Sequence, residues 1–159
     1  MTPLDEALLH SEPFADGWNA LLGAVRSSMA LPGVFRELAI CRVAALNGAD
    51  YEWRAHVPLA HAEGLTDEQV AALRLGADTA SLEDDHQLIL AYTDAMTRSV
   101  TVPGELSAAV HKRLGTKQLV ELTGTIAAYN MVSRFLVALH VGHSESADTS
   151  ESTESEVTA

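Results

Sequence analysis

The residues of this chain that are best suited to acid–base chemistry lie on either side of one turn. Glu37 precedes the turn signal Asn47-Gly48, and Glu52 and His56 follow it. Glu52 and His56 are four positions apart, so they are neighbours on one face of a helix. A histidine with a carboxylate partner can be held in one tautomer and titrate near neutral pH, as a general acid or base requires.

Two helices must position these side chains. Residues 34–46 and 51–63 are predicted helices, Asn47-Gly48 is a helix stop signal, and Asp50 is the predicted cap of the second helix. If the helices run antiparallel, a rise of ~1.5 Å per residue places His56 roughly 12 Å past the turn. The same rise places the stretch from Glu37 to Cys41 about 9–15 Å before the turn. Two carboxylates, a thiol and an imidazole are then expected to converge.

The remaining sequence also favours helices, and no segment alternates between apolar and polar residues between hairpin turns. We therefore predict an all-α fold. The helix signals, in chain order, are an apolar stripe over 16–29, a break at 31–33, capping boxes at 66–69 and 81–84, a first-turn proline at Pro103, a stop at Gly115 and a long apolar helix from Thr116.

Length and composition indicate one soluble globular domain of 159 residues, with 47% hydrophobic and 20% charged residues. We predict an N-terminal extension over 1–13, a helical domain over 14–143 and a disordered, acidic, Ser/Thr-rich tail over 144–159. No apolar run is long enough to span a bilayer, and the acidic N-terminus is unlike a signal peptide. The single cysteine, Cys41, fits a reducing compartment, so a cytoplasmic location is expected.

The charge and the apolar helices narrow the class of partner. A net charge of −12 argues against non-specific nucleic-acid binding and against binding to an anionic membrane surface. The longest helices are too apolar to face water in a monomer, so a homo-oligomer is predicted.

The segment "RELAICRVAALNGADYEWRAHVPLAHAEGLTDEQVAAL" (36–73) resembles the carboxymuconolactone decarboxylase family, whose superfamily includes the alkylhydroperoxidase D-like proteins. "AAYNMVSRFLVAL" (127–139) is similar to the closing helix of the family, and the likeness covers about residues 14–141. The resemblance implies an alkylhydroperoxidase D-like helical bundle that assembles into trimers or hexamers, with sites near the subunit contacts.

The chain departs from the redox branch of that superfamily. Ala49 and Glu52 occupy the two positions at which alkylhydroperoxidase-type members carry their Cys-x-x-Cys pair, whereas His56 and Glu37 are retained. Peroxide reduction of that type needs one thiolate to attack and a second to resolve. Cys41 is predicted to be a buried, unreactive thiol among apolar neighbours.

The Glu-x-x-x-His spacing is similar instead to the γ-carboxymuconolactone decarboxylase side of the family, which uses neither metal nor organic cofactor. This resemblance implies that His56 is the acid/base and that Glu52 or Glu37 orients it. Predicted substrate-binding residues are Arg36 or Arg54 for a carboxylate and Tyr51 and Trp53 for the pocket wall. Each arginine has an alternative interpretation as a solvated helix residue, and Trp53 as a packing residue.

The predicted function is therefore a cofactor-free lyase (decarboxylase) or isomerase that acts on a small carboxylated lactone or enolic metabolite. A non-catalytic small-molecule-binding oligomer is the first alternative, and a thiol peroxidase the second. No metal site is expected: His61 is poorly spaced from His56, and His140 and His143 lack a third ligand.

Overall fold

The computed structural model describes residues 1–142, and throughout that range the regular secondary structure is helical. The all-α prediction is confirmed. The predicted tail over 144–159 and His143 lie outside the described residues. The helices are α1 (Pro3–Leu8), α2 (Glu12–Ser27), α3 (Gly33–Asn47), α4 (Asp50–Ala62), α5 (Asp67–Ala72), α6 (Asp84–Ser99) and α7 (Gly104–Ala138).

Helix α3 is the centre of the fold, because α4, α6 and α7 all pack against it. A helix that is surrounded in this way must be apolar on every side. Its sequence meets that demand, and from Leu38 to Ala44 each side chain is buried. Two charged residues, Glu37 and Arg42, are buried within the same helix, so each must find partners in the interior.

The turn between α3 and α4 follows the predicted stop signal. Gly48 takes the left-handed conformation, with φ 64° and ψ 30°, which a glycine adopts without steric cost. The cap of α4 was predicted one residue too late: Ala49 is the N-cap and Asp50 is the first residue of the helix. An aspartate in the first turn still stabilises the helix dipole, which explains why the acid is there.

One of the two predicted capping boxes forms. Thr66 accepts a hydrogen bond from the backbone of Gln69, and the Gln69 side chain accepts one from Thr66 in return. The prediction at Ser81 is wrong, because its hydroxyl donates to the carbonyl oxygen of Glu68 at 3.4 Å and α6 begins only at Asp84.

The remaining predicted helix limits are met in part. Helix α1 lies in the segment predicted as an extension, and it opens with a capping box of Thr2 and Asp5 that the sequence pattern contains but that we did not predict. Gly115, with φ 75° and ψ 170°, breaks α7 into two helical segments, so the predicted stop is confirmed in the backbone. Pro103 is the N-cap of α7 and lies just before its first turn.

The surface carries isolated large apolar side chains, among them Leu9, Val100 and Val120, which are 67%, 84% and 65% exposed. The homo-oligomer stays a prediction. A helix suited to crossing a bilayer is not found among residues 1–142.

Candidate acid–base site

Helices α3 and α4 bring together the three residues singled out by their spacing. His56 Nδ1 is hydrogen-bonded to Glu37 Oε2 at 2.6 Å, and His56 Nε2 lies 2.8 Å from Glu52 Oε1. Glu37, Glu52 and His56 are 2%, 3% and 4% exposed, so this group is enclosed by the protein. The helical rise on either side of the turn therefore predicted correctly that these three side chains meet.

This geometry requires a proton on each ring nitrogen. A neutral imidazole donates from one nitrogen only, whereas both nitrogens of His56 face a carboxylate oxygen. Burial by itself lowers the pKa of His56, but its contacts with Glu37 and Glu52 outweigh burial and the pKa lies above its ordinary value. Both the contacts and the raised pKa favour the imidazolium form of His56 between the two carboxylates.

Arg36 holds the far side of Glu37. Its Nε donates to Glu37 Oε1 at 3.0 Å, and its Nη2 donates to Glu63 Oε1 at 3.1 Å. Burial raises the pKa of Glu37, but His56 and Arg36 together outweigh it and the pKa lies below its ordinary value. Two acids, the imidazolium and the guanidinium sum to no net charge, which is the condition under which buried charges are tolerated.

Tyr129 of α7 completes the enclosure. Its ring meets the ring of His56 edge-on, with 5.1 Å between centroids and an interplanar angle of 85°. Arg26 Nε of α2 donates to the Tyr129 hydroxyl at 3.0 Å. Burial raises the pKa of Tyr129 to about 12, so the phenol stays protonated. Neither Tyr129 nor Arg26 was predicted; the only signal was a tyrosine within the apolar pattern of the last helix.

Cys41 lies one turn after Glu37 on α3 and is fully buried. Burial and the nearby carboxylates raise the pKa of its thiol to about 12. The thiolate is the reactive form of cysteine, and it is scarcely populated at neutral pH with such a pKa. The thiol therefore adds a buried apolar side chain to the site rather than a nucleophile.

The predicted substrate-binding residues lie in different places. Arg36 contacts the acid–base group directly. The other three make contacts elsewhere among residues 1–142. The Tyr51 ring packs on Gly142, where a Cβ would clash; Arg54 Nη2 donates to the Gly142 carbonyl at 3.5 Å; and the Arg74 guanidinium stacks 4.3 Å from the Trp53 ring centroid.

Trp53 does line a cavity, but this cavity is not bounded by the acid–base group. Its volume is about 250 Å³, and it lies beside the turn between α3 and α4, with Asp50 and Arg74 among its other walls. The predicted roles of Tyr51, Trp53 and Arg54 in binding substrate stay predictions.

The remaining histidines of the described chain do not extend the site. His61 Nδ1 contacts the Leu65 carbonyl oxygen at 2.8 Å near the surface, and His86 packs edge-on against Phe35. Within residues 1–142, no group of three or more His, Cys, Asp or Glu side chains has an arrangement that suits a metal ion.

Comparisons with known proteins give one family model and a similar solved structure. Residues 12–85 match the model of the carboxymuconolactone decarboxylase family, and this range contains all three acid–base residues. A solved structure of a protein of unknown function from Agrobacterium tumefaciens, proposed to be the antioxidant defence protein AhpD, has a similar fold. The TM-score is 0.79 at 21% identity, over 91% of this chain and 99% of that one. No curated protein matches the sequence.

Proposed function

We propose that this chain, whose residues 12–85 match the model of the carboxymuconolactone decarboxylase family, is a cofactor-independent lyase or isomerase that uses His56 as its acid. The observation that carries the proposal is the enclosure of His56 between two buried carboxylates, at 2.6 and 2.8 Å. An imidazolium held in this way, away from bulk water, is a proton donor with a fixed direction.

The proposed substrate is a small carboxylated lactone or enolic acid. In a decarboxylation the bond between carbon and the carboxylate breaks, its electron pair passes into a conjugated acceptor, and carbon dioxide leaves. The proton of His56 is then added to the carbon or oxygen of the resulting enolate, and His56 regains a proton from water. In an isomerisation, neutral His56 instead removes a proton from carbon and returns it to another atom.

Glu37 and Glu52 have different roles in this proposal. Glu37 is a positioning residue, because Arg36 holds one of its oxygens and His56 the other. The only polar partner of Glu52 among the described residues is His56. Glu52 is therefore the carboxylate that can move aside, and Nε2 is the nitrogen that we propose delivers the proton to substrate.

Arg36 is the proposed binding residue for the substrate carboxylate. Its Nη2 holds the carboxylate of Glu63, which is 41% exposed, so an incoming carboxylate can replace that partner without uncovering a buried charge. Bidentate recognition of a carboxylate is the ordinary role of an arginine in a binding site. Because the pKa of the single thiol is about 12, thiol-based peroxidase activity is not proposed.

One second candidate is favoured by the same enclosure. Both ring nitrogens of His56 are already occupied by the chain's own carboxylates, as in a purely structural cluster. In that case the chain is a non-catalytic oligomer that binds a small molecule. The cytoplasmic location and the homo-oligomer belong to the proposal in either form.

The test is a screen of carboxylated γ-lactones and 3-oxo acids, with release of carbon dioxide and the change in ultraviolet absorbance as readouts. Once a substrate is found, we expect His56→Gln to lower kcat by about 100- to 10,000-fold, which is the usual contribution of a general acid. His61→Gln is the matched control, because His61 lies outside the group, and it should keep wild-type kcat. Full turnover by His56→Gln would exclude the proposed acid.

A further inference from the structure

A separate cavity lies between the end of α3 and the last turns of α7. Its volume is about 340 Å³, which is at the small end of the range for ligand pockets. Its lining residues are Asn47, Ser133, Arg134, Val137 and Ala138. None of the three acid–base residues lines it.

The hydroxyl of Ser133 is the first sign that this cavity takes a ligand. Ser133 is fully buried, and its Oγ has no hydrogen-bond partner. Elsewhere in the same fold, helical hydroxyls donate to the carbonyl four residues earlier: Thr93 to Ile89, Thr123 to Leu119 and Thr125 to Glu121, at 2.7–2.8 Å. A buried hydroxyl without a partner is costly and uncommon in native proteins. A ligand with a polar atom here would satisfy it.

Arg134 supplies the charge. Its Nη1 donates to the backbone oxygen and to Oδ1 of Asn130, at 2.9 and 2.7 Å. Among residues 1–142 it forms no ion pair, whereas Arg36, Arg42 and Arg113 each have an acidic partner. Arg134 lines the cavity, and its Nε and Nη2 have no hydrogen-bond partner among residues 1–142, so it keeps two donors in the planar arrangement that matches a carboxylate.

The rest of the lining sets the orientation and the body of the ligand. Asn47 uses its Nδ2 for Asn130, at 3.1 Å, which leaves its Oδ1 as an acceptor. Asn47 is also the last residue of α3, where the helix dipole disfavours an anion. The anionic end of a ligand therefore belongs at Arg134, while Val137 and Ala138 supply an apolar wall.

We propose that this cavity binds a small monocarboxylate with a short apolar body. The Arg134 guanidinium holds the carboxylate by two hydrogen bonds, the Ser133 hydroxyl donates to the ligand from the buried side, and Val137 contacts its carbon chain. Ser133 follows Tyr129 by one turn of α7, and the Tyr129 ring meets the ring of His56 edge-on. The binding itself does not depend on the catalytic proposal.

The experiment is a titration of the ¹⁵N-labelled full-length chain with sodium butanoate at constant ionic strength, followed by NMR. We expect saturable shifts at the Arg134 Nε–H signal and at the amides of residues 133–138. Arg134→Met should weaken the butanoate Kd by about tenfold or more, because it removes a charge-assisted contact. Arg134→Lys, which keeps the charge but lacks the fork, should bind with an intermediate affinity, and Ser133→Ala should weaken Kd by about threefold.

Matched controls decide the outcome. Arg98→Met makes the same charge change at an exposed position on α6 that does not line the cavity, and it should leave Kd unchanged. The proposal is overturned if 1-butanol or sodium phosphate gives the same shifts and affinity as butanoate. It is also overturned if Arg134→Met, with an unchanged amide spectrum elsewhere, binds as tightly as wild type, or if residues 133–138 show no saturable shifts.

Discussion

Two buried charged residues of α3, only five positions apart, have opposite roles. Every nitrogen of the Arg42 guanidinium has a partner. Its Nε and Nη2 donate to the two carboxylate oxygens of Asp94, both at 2.6 Å. Its Nη1 donates to the backbone carbonyls of Leu73 and Arg74 at 3.0 and 3.1 Å. Glu37 instead contacts a histidine that can gain or lose a proton. A guanidinium stays protonated at any physiological pH, whereas an imidazolium does not.

The difference shows that burial of charge does not by itself make a functional site. The Arg42 group ties α3 to α6 and to the end of α5, and all of its contacts are complete without a ligand. The group around His56 is equally buried, yet it holds its proton on a residue with a raised pKa. We therefore interpret the first as structural and the second as chemical.

The largest expected effect on stability is that of breaking the structural group. Arg42→Met should lower the free energy of unfolding by about 3 kcal/mol, because Asp94 and two backbone carbonyls lose their donor. Denaturant unfolding followed by circular dichroism measures the change. Arg98→Met, at an exposed position, should stay within about 0.5 kcal/mol of wild type. A loss of similar size for both variants would mean that the Arg42 group is not special.

A smaller loss is expected from neutralising one carboxylate of the acid–base group. Glu37→Gln should cost about 2 kcal/mol of unfolding free energy, because an amide cannot replace the charged acceptor for both Arg36 and His56. Glu52→Gln should cost about 1 kcal/mol, since it loses one contact only. The same unfolding experiment compares them. The reverse order would contradict the separate roles given to the two acids.

The pH dependence of stability should also separate the two regions. The pKa of His56 is raised in the folded state, so its stabilisation is complete below its ordinary pKa of 6.5 and is lost as the pH rises through the folded value. The pKa of Glu37 is lowered, so its stabilisation is present above 4.5 and is lost as the pH falls through the folded value. The stability gap between wild type and His56→Gln should therefore be larger at pH 6 than at pH 9.

The corresponding gap for Arg42→Met should stay flat between these two pH values, because the guanidinium does not titrate there. Unfolding curves of the three proteins at both pH values provide the comparison. A gap for His56→Gln that is as flat as the one for Arg42→Met would show that His56 is not charged in the folded protein at pH 6.

The smallest effect is expected at Cys41. Cys41→Ala keeps the acid–base group intact and removes only a small buried thiol, so kcat on any substrate found should change by less than about twofold, with a modest loss of stability. Steady-state kinetics on the two proteins measure this. A loss of activity comparable to that of His56→Gln would show that the Cys41 thiol takes part in the reaction.

The convergence of Glu37, Glu52 and His56 could be predicted because it depends on local geometry alone. A helix, a turn at Gly48 and a second helix determine which residues share a level, and the helical rise supplies the distances. The same pattern could not identify Tyr129, which is 73 positions beyond His56 and meets it through the packing of α7 on α3 and α4. Arg42 and Asp94 were missed for the same reason.

The wrong prediction at Ser81 also comes from a contact between residues that are distant in sequence. Ser81 has the sequence of a capping residue, but tertiary contact with the Glu68 carbonyl uses its hydroxyl instead. Trp53 packs under Arg74, as its alternative interpretation as a packing residue allows. That contact comes from the chain beyond α4, which the spacing of residues on one helix does not supply.

NMR titration of the His56 ring signals measures the pKa of His56 in the folded protein. It therefore tests whether His56 is an imidazolium between Glu37 and Glu52. With His56→Gln used to assign those signals, we predict a midpoint above 6.5 in wild type, and a lower midpoint in Glu37→Gln. A wild-type midpoint at or below 6.5, unchanged in Glu37→Gln, would contradict the account.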